Sequence, residues 1–271
     1  MSLLQALALG IVQGLTEFLP VSSSAHLILA RVFLGLDAGQ LGLAFDVACH
    51  VGTLAAVVAY FRSDLRAMLR ASPQLLRAGS RGPAHLLRLV SVGTLPVVIV
   101  GLAAIGVIES RLRTPAVAAA MLAAGALLFF VAERLGARRR EAETLGFGEA
   151  LGIGAAQAFA LVPGVSRSGA TIALAMLLGL KREAAARFSF LLGVPAIVAA
   201  AGHEALALAA EGLSAADALR FAIGTIASGI VGYLAIKYLL RYLSGHTLAV
   251  FAWYRLALAA ALAVWWWGGW S

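Results

Sequence analysis

The chain has 271 residues, 62% of them hydrophobic and only 13% charged. That is more apolar surface than one water-soluble core can hide, so a soluble globular enzyme is excluded and an all-α polytopic membrane protein is expected. The formal charge of +8 would suggest a nucleic-acid partner in a soluble protein, but the arginines sit mostly in short loops between apolar runs, the positive-inside pattern, which argues for membrane topology and against nucleic acid.

In chain order, the first stretch, 3–36, is interrupted near its middle by Pro20, which is followed by Ser22, Ser23 and Ser24. A proline without an N–H ends one helix, and the serines after it cap the next. The two pieces are each too short to cross a bilayer, so a re-entrant helix, loop and helix is expected; the alternative is a single kinked span. Full spans follow near 41–61, 86–108 and 115–135. A second interrupted stretch, 148–180, is broken by Pro163, and three more spans lie near 186–206, 218–240 and 248–268. Each of the six is long enough for a hydrocarbon core of about 30 Å. Nothing before Arg31 is basic, so a cleavable signal peptide is not expected. Cys49 lies inside an apolar run and excludes an internal disulfide or a cysteine metal cluster. Trp265, Trp266, Trp267 and Trp270 read as an interfacial belt.

The two interrupted stretches are copies of one pattern. At a constant offset of 144 (154 − 10), Gly10, Gln13, Val21, Ser22, Ser24 and Ile28 meet Gly154, Gln157, Val165, Ser166, Ser168 and Ile172. One membrane domain over 1–271 is therefore expected, with repeats over 1–140 and 141–271. Arg62, Arg66 and Arg70, then Arg138, Arg139 and Arg140, then Lys181 and Arg182 mark cytoplasmic ends. The connection carrying Glu204, Glu211 and Asp217 faces outward, as do both termini and the Glu109–Arg113 turn, although the two arginines of that turn run against the rule. Three spans separate the copies, so the second enters from the opposite face and the two loops can meet near the midplane.

Each copy carries costly polar groups; an ionised side chain at the bilayer centre costs at least about 2.5–3.5 kcal/mol. Gln13 and Glu17 share one helix face, and His26 lies one turn after Ser23. Ser22 and Ser24 read as caps as readily as ligands. In the second copy Gly164, Ser166, Arg167, Ser168 and Gly169 bring hydroxyls, glycines and a guanidinium to a helix start, a phosphate-binding arrangement. The alternative for Arg167 is a structural pair with a carboxylate such as Glu17. Thr171 either bonds a phosphate oxygen or its own helix backbone. Asp46 and His50 are placed to line a cavity mouth or to pack as a pair, and His85, His203 and His246 read as interfacial bystanders.

Gln13 to His26 and Pro163 to Thr171 resemble the two motifs of the undecaprenyl diphosphate phosphatases, the bacitracin-resistance type of membrane phosphatase, and the likeness extends over essentially the whole chain. It departs at Gln13, where many members have Glu, and at Ala25, where many have Gly; the first leaves Glu17 as the one carboxylate of the motif. The resemblance implies hydrolysis of a polyprenyl diphosphate lipid in the bacterial cytoplasmic (inner) membrane, with a site opening to the periplasm. It also implies dependence on Mg²⁺ or Ca²⁺, with Glu17 as a ligand; homo-oligomerisation is left open. On this reading Arg167 holds phosphate oxygens, Ser23 is the nucleophile, His26 its base or the leaving-group acid, and Glu17 an orienter or metal ligand. Direct attack by water is the alternative chemistry, and a transporter or flippase of a phosphorylated lipid the alternative function.

Overall fold

A computed structural model describes residues 1–36, 40–75, 79, 81–211 and 215–267. Among them there is no strand, only eleven α-helices and short 3-10 or π turns. The first interrupted stretch forms α1 (Leu3–Phe18) and α2 (Ser23–Phe33), and the second forms α7 (Phe147–Phe159) and α8 (Arg167–Leu177). Each stretch is two helices joined by a loop at its proline, as expected. α1 opens on a capping box, Ser2 Oγ accepting from the Gln5 N–H at 3.2 Å and Gln5 Oε1 from the Ser2 N–H at 2.6 Å. It closes at Leu19, which precedes Pro20 and is extended (φ −63°, ψ 139°) because the proline ring disfavours a helical neighbour.

The expected spans correspond to α3 (Gln40–Tyr60), α5 (Pro83–Val107), α6 (Pro115–Leu135), α9 (Arg182–Glu211), α10 (Ala215–Leu243) and α11 (Ala249–Trp267). Five of these are long and apolar enough to cross a membrane alone; α3 joins them when taken with α4 (Arg62–Arg70), from which it is bent by 75°. The basic segment after the third helix is thus itself helical, which its arginines hid. Leu65 and Met68, one turn apart, turn inward to the core, while Asp64 accepts from Arg187 at 3.1 Å. Serine 80, Trp270, the connection at 212–214 and the side chains of His203, Glu204 and Glu211 lie outside the described residues. His85 bonds the Leu145 carbonyl at 2.9 Å and His246 stacks on Tyr242, both away from the two loops.

The main core gathers Phe18, Phe61, Phe129, Phe188 and Phe190 between the broken pairs and the long helices. On the outside, Leu95 and Ile99 of α5 are 52% and 63% exposed, as suits a lipid-facing wall. The helices approach through glycines. A Cβ on Gly10 would lie 2.6 Å from the Gly224 carbonyl oxygen, and one on Gly154 would lie 2.1 Å from that of Gly93. These are repeat-equivalent positions, and each lets the first helix of a broken pair press against a long helix of the other half, α1 on α10 and α7 on α5. Backbone geometry repeats too: Ser22 and Ser166, 144 apart, both take a left-handed φ, 74° and 71°.

Gly154→Ala is expected to force α7 from α5 and to cost about 1–3 kcal/mol, read as a fall in the thermal unfolding midpoint in detergent. Gly152→Ala on the same helix, where no atom lies within 4 Å of the new Cβ, is expected to leave the midpoint unchanged or slightly raised. Equal midpoints for the two variants would refute the close crossing.

Candidate active site

The two loops, 19–22 and 160–166, meet, and a guanidinium joins them. Arg255 of α11 is fully buried and donates to main-chain carbonyls: Nη1 to Pro20 of the first loop at 3.3 Å, and Nη2 to Gly164 and Val165 of the second at 3.0 and 3.1 Å. Its remaining bonds go to Leu122 and Met121 of α6, both at 3.1 Å, and its plane lies over the Phe129 ring. Loop carbonyls at helix ends lack helical partners, so the arginine satisfies them and they solvate it. Two further bonds cross between the loops: Ser168 Oγ donates to the Leu19 carbonyl at 3.3 Å, and the Gly164 N–H to Ser24 Oγ at 3.5 Å.

Next to this junction Glu17, 6% exposed, collects three donors. Ser23 Oγ donates to Oε2 at 2.8 Å, Gln13 Nε2 to Oε2 at 3.0 Å, and Arg167 Nη2 to Oε1 at 3.1 Å. His50 of α3 completes the cluster, its Nδ1 3.0 Å from Gln13 Nε2 and 3.8 Å from Glu17 Oε2. Arg167 lies flat on α9 because residue 193 is glycine: a Cβ there would come within 1.5 Å of Nη1. That Nη1, together with Gln13 Oε1, is buried without a protein partner.

A cavity of about 570 Å³ begins at this cluster. Ser23, Ser24, His50, Leu161 and Pro163 form its inner end, while Asp46, Ile108 and Arg113 lie at the other; Val98, Leu102 and Ile105 of α5 and Ala196 and Ala199 of α9 form apolar walls. It runs along the part of α3 remote from Arg62 and of α5 remote from Pro83, away from the basic loops. Its shape suits a charged head on an apolar tail.

The structure therefore brings together Gln13, Glu17, Ser23 and Arg167, and adds His50. His26 is not brought to the Ser23 hydroxyl: its Nδ1 meets the Ser22 carbonyl at 2.7 Å and its Nε2 the Tyr254 hydroxyl at 2.7 Å, so both ring nitrogens are engaged elsewhere. Arg167 adopts the carboxylate pair that the sequence reading held as its alternative. Thr171 takes the backbone option, donating to the Arg167 carbonyl at 2.7 Å and contacting Ser189 Oγ. Ser166 caps α8, accepting from the Gly169 N–H at 3.2 Å; Ser22 and Ser24 bond each other at 3.1 Å. The expectation that Gly164 and Gly169 offer a phosphate cradle is corrected. Both N–H groups are used within the protein, and the space of the missing Cβ is filled, at 2.3 Å by the Ala118 carbonyl for Gly164 and at 2.9 Å by Phe129 for Gly169. Gly164 is also left-handed (φ +91°), so glycine is required there twice over. Arg255 and Tyr254 escaped the sequence reading, although an arginine within an apolar span is the same costly signal that singled out Glu17.

For a divalent cation the fit is poor. Among the described residues no three His, Cys, Asp or Glu groups converge, and three of the lone-pair positions on Glu17 already face donors.

A protein-family model described as Bacitracin resistance protein BacA matches residues 6–261. A curated relative from Rubrobacter xylanophilus named undecaprenyl-diphosphatase is 51% identical over 266 residues, covering 97% of this chain and 98% of the relative. An undecaprenyl-diphosphatase of Nitrosococcus oceani is 45% identical, and an undecaprenyl-diphosphatase 2 of Stutzerimonas stutzeri 47% identical, each over 97% of this chain and 98% of its own length.

Arg255→Met is expected to strand the loop carbonyls and lower stability by at least about 2–3 kcal/mol, seen in thermal unfolding. Arg255→Lys should recover only part, since an ammonium cannot reach carbonyls on three sides at once. A methionine variant with the parent's midpoint would show that the loops hold without the clamp.

Proposed function

The chain belongs to the bacitracin resistance protein BacA family, and we propose that it hydrolyses undecaprenyl diphosphate to undecaprenyl phosphate and inorganic phosphate, recycling the carrier lipid for cell-wall synthesis and conferring bacitracin resistance. The observation that carries the reading is the 2.8 Å bond from Ser23 Oγ to buried Glu17, at the inner end of a cavity with apolar walls. A hydroxyl donating to a carboxylate is an activated nucleophile in its ground state, needing no third group to take the proton.

In the proposed reaction Ser23 Oγ attacks the terminal phosphorus as its proton passes to Glu17 Oε2. The bond from that phosphorus to the bridging oxygen breaks, and the prenyl monophosphate leaves. Water then attacks the phosphoserine, the phosphorus–Oγ bond breaks, and Oγ regains the proton from Glu17. Arg167, held by Glu17 through Nη2, keeps Nη1 buried against Gly193 without a hydrogen-bond partner, and on this reading the guanidinium turns from Glu17 to hold phosphate oxygens as charge develops. His26, bonded to Tyr254, acts on Ser23 through the loop rather than as its base. A divalent cation, Mg²⁺ or Ca²⁺, would be held mainly by the diphosphate's own oxygens, with Glu17 the nearest carboxylate.

We place the protein in the bacterial inner membrane as two inverted repeats, basic loops inside and the cavity opening to the periplasm. Supporting this, the cavity runs along helix segments distant from the arginine-rich ends.

Ser23→Ala and Glu17→Gln are each expected to cut turnover of a long-chain prenyl diphosphate by detergent-purified protein by orders of magnitude, with the lipid still bound. Near-parental turnover in a folded Ser23→Ala protein would exclude the serine nucleophile and leave attack by water; no phosphate release by the parent would exclude hydrolysis and favour a transporter. For topology, an impermeant thiol reagent applied to intact cells is expected to label a cysteine at exposed Ser110 and not one at exposed Ser72. The reverse pattern would invert the assignment.

A further inference from the structure

The outer turn carries Arg111 and Arg113 against the charge rule that orients the rest of the chain. Arg113 lines the cavity. Beside it, Arg31 and Asp46 form a buried bidentate pair, Nη1 to Oδ2 at 2.8 Å and Nη2 to Oδ1 at 2.5 Å, and Arg31 Nη2 also donates to the Gly42 carbonyl at 2.7 Å. Both carboxylate oxygens of Asp46 are thus committed to Arg31. Arg113 comes only to 3.8 Å of Oδ2 and keeps 37% of its side chain exposed. A weak, shared, half-exposed contact leaves its guanidinium fork available.

Charge decides what this cation is for. At the inner end Glu17 offsets Arg167; Arg31 and Asp46 cancel likewise. Arg255 has its guanidinium turned into the loop carbonyls. Among the described side chains that line the cavity, the charge least neutralised is therefore Arg113, since the carboxylate nearest to it, Asp46, is already shared with Arg31. Asp46 and His50 are one helical turn apart, a rise of about 6 Å, so the carboxylate that Arg113 approaches lies one turn of α3 from the imidazole that contacts Gln13.

Resting on the phosphatase reading above, we propose that Arg113 forms an outer phosphate-binding position in the same cavity, leaving its shared contact with Asp46 to take oxygens of the prenyl diphosphate head or of the released phosphate. A guanidinium suits this by presenting two parallel N–H groups to a phosphate. The unusual positive charge on the outer turn is then a property of the site rather than of topology.

The test is steady-state hydrolysis of a prenyl diphosphate by the parent, Arg113→Gln and Arg113→Lys in detergent, with inorganic phosphate and pyrophosphate as inhibitors. For Arg113→Gln, KM is expected to rise about tenfold or more, the loss of one charge-assisted contact, with kcat falling by less than KM rises; lysine should restore part of the difference. If the position serves the substrate head, pyrophosphate inhibition weakens along with KM. If it serves the leaving phosphate, inhibition by inorganic phosphate weakens more than that by pyrophosphate. An active parent with unchanged KM and inhibition constants in Arg113→Gln would overturn the inference while leaving hydrolysis intact, as would a loss confined to kcat. An inactive parent would instead sink the phosphatase reading.

Discussion

The geometry of the site depends on a cation that contacts carbonyls and not a carboxylate. Two broken helix pairs leave loop carbonyls without helical partners inside the protein, where each unpaired group is costly. Arg255 answers both loops at once, reaching Pro20 on one and Gly164 and Val165 on the other. With the loops joined, Glu17 beyond the first and Arg167 beyond the second come within 3.1 Å. The glycines around the clamp follow from the same need. A Cβ on Gly125 would fall 2.0 Å from Arg255 Nη2, and one on Gly169 3.2 Å from Nη1.

Glu17 is then the group on which the site's electrostatics turn. Desolvating a carboxylate is expensive unless its oxygens are met by donors, and here the donors are the residues the chemistry requires: a hydroxyl, an amide and a guanidinium. Gln13 in place of a second carboxylate is consistent with this economy. A glutamate there would set two negative charges one turn apart in a buried space, whereas the amide donates to Glu17 and to His50 together.

Much of the architecture was legible because helices in a membrane must satisfy their own backbone. Pro20 and Pro163, each placed so that neither flanking piece could span, announced the two broken pairs, and long apolar runs announced α5, α6 and α9 to α11. The α4 helix was not legible, because Arg62, Arg66 and Arg70 gave it the composition of a basic loop, and only packing of Leu65 and Met68 on the core makes it a helix. In the site, Gln13 with Glu17 could be read from spacing along one helix face, and Ser23 from its place at the start of the next helix. The partner of His26 could not, since Tyr254 lies 228 residues away and nothing local marks it. Nor could the use of glycine: Gly164 and Gly169 have the composition of a phosphate loop, yet their spaces are filled by Ala118 and Phe129, contacts that exist only once the helices have packed.

One carboxylate serves donors from both broken pairs. Ser23 and Arg167 stand at the same position of the two copies, 144 residues apart (167 − 23), each at the first residue of the second helix of its pair. In a symmetric dimer of loops they would be the same residue facing itself. Here they approach one glutamate from either side, the serine on Oε2 and the arginine on Oε1. The second copy has Leu161 where the first has Glu17, and Ala170 where the first has His26, so no second acceptor competes for either donor. Gln157, the counterpart of Gln13, is buried with both amide atoms unpartnered, as expected of a residue whose carboxylate neighbour has been lost to leucine. The two positions hold a hydroxyl and a guanidinium, so the junction of the loops is asymmetric, with a different donor on either side of one carboxylate.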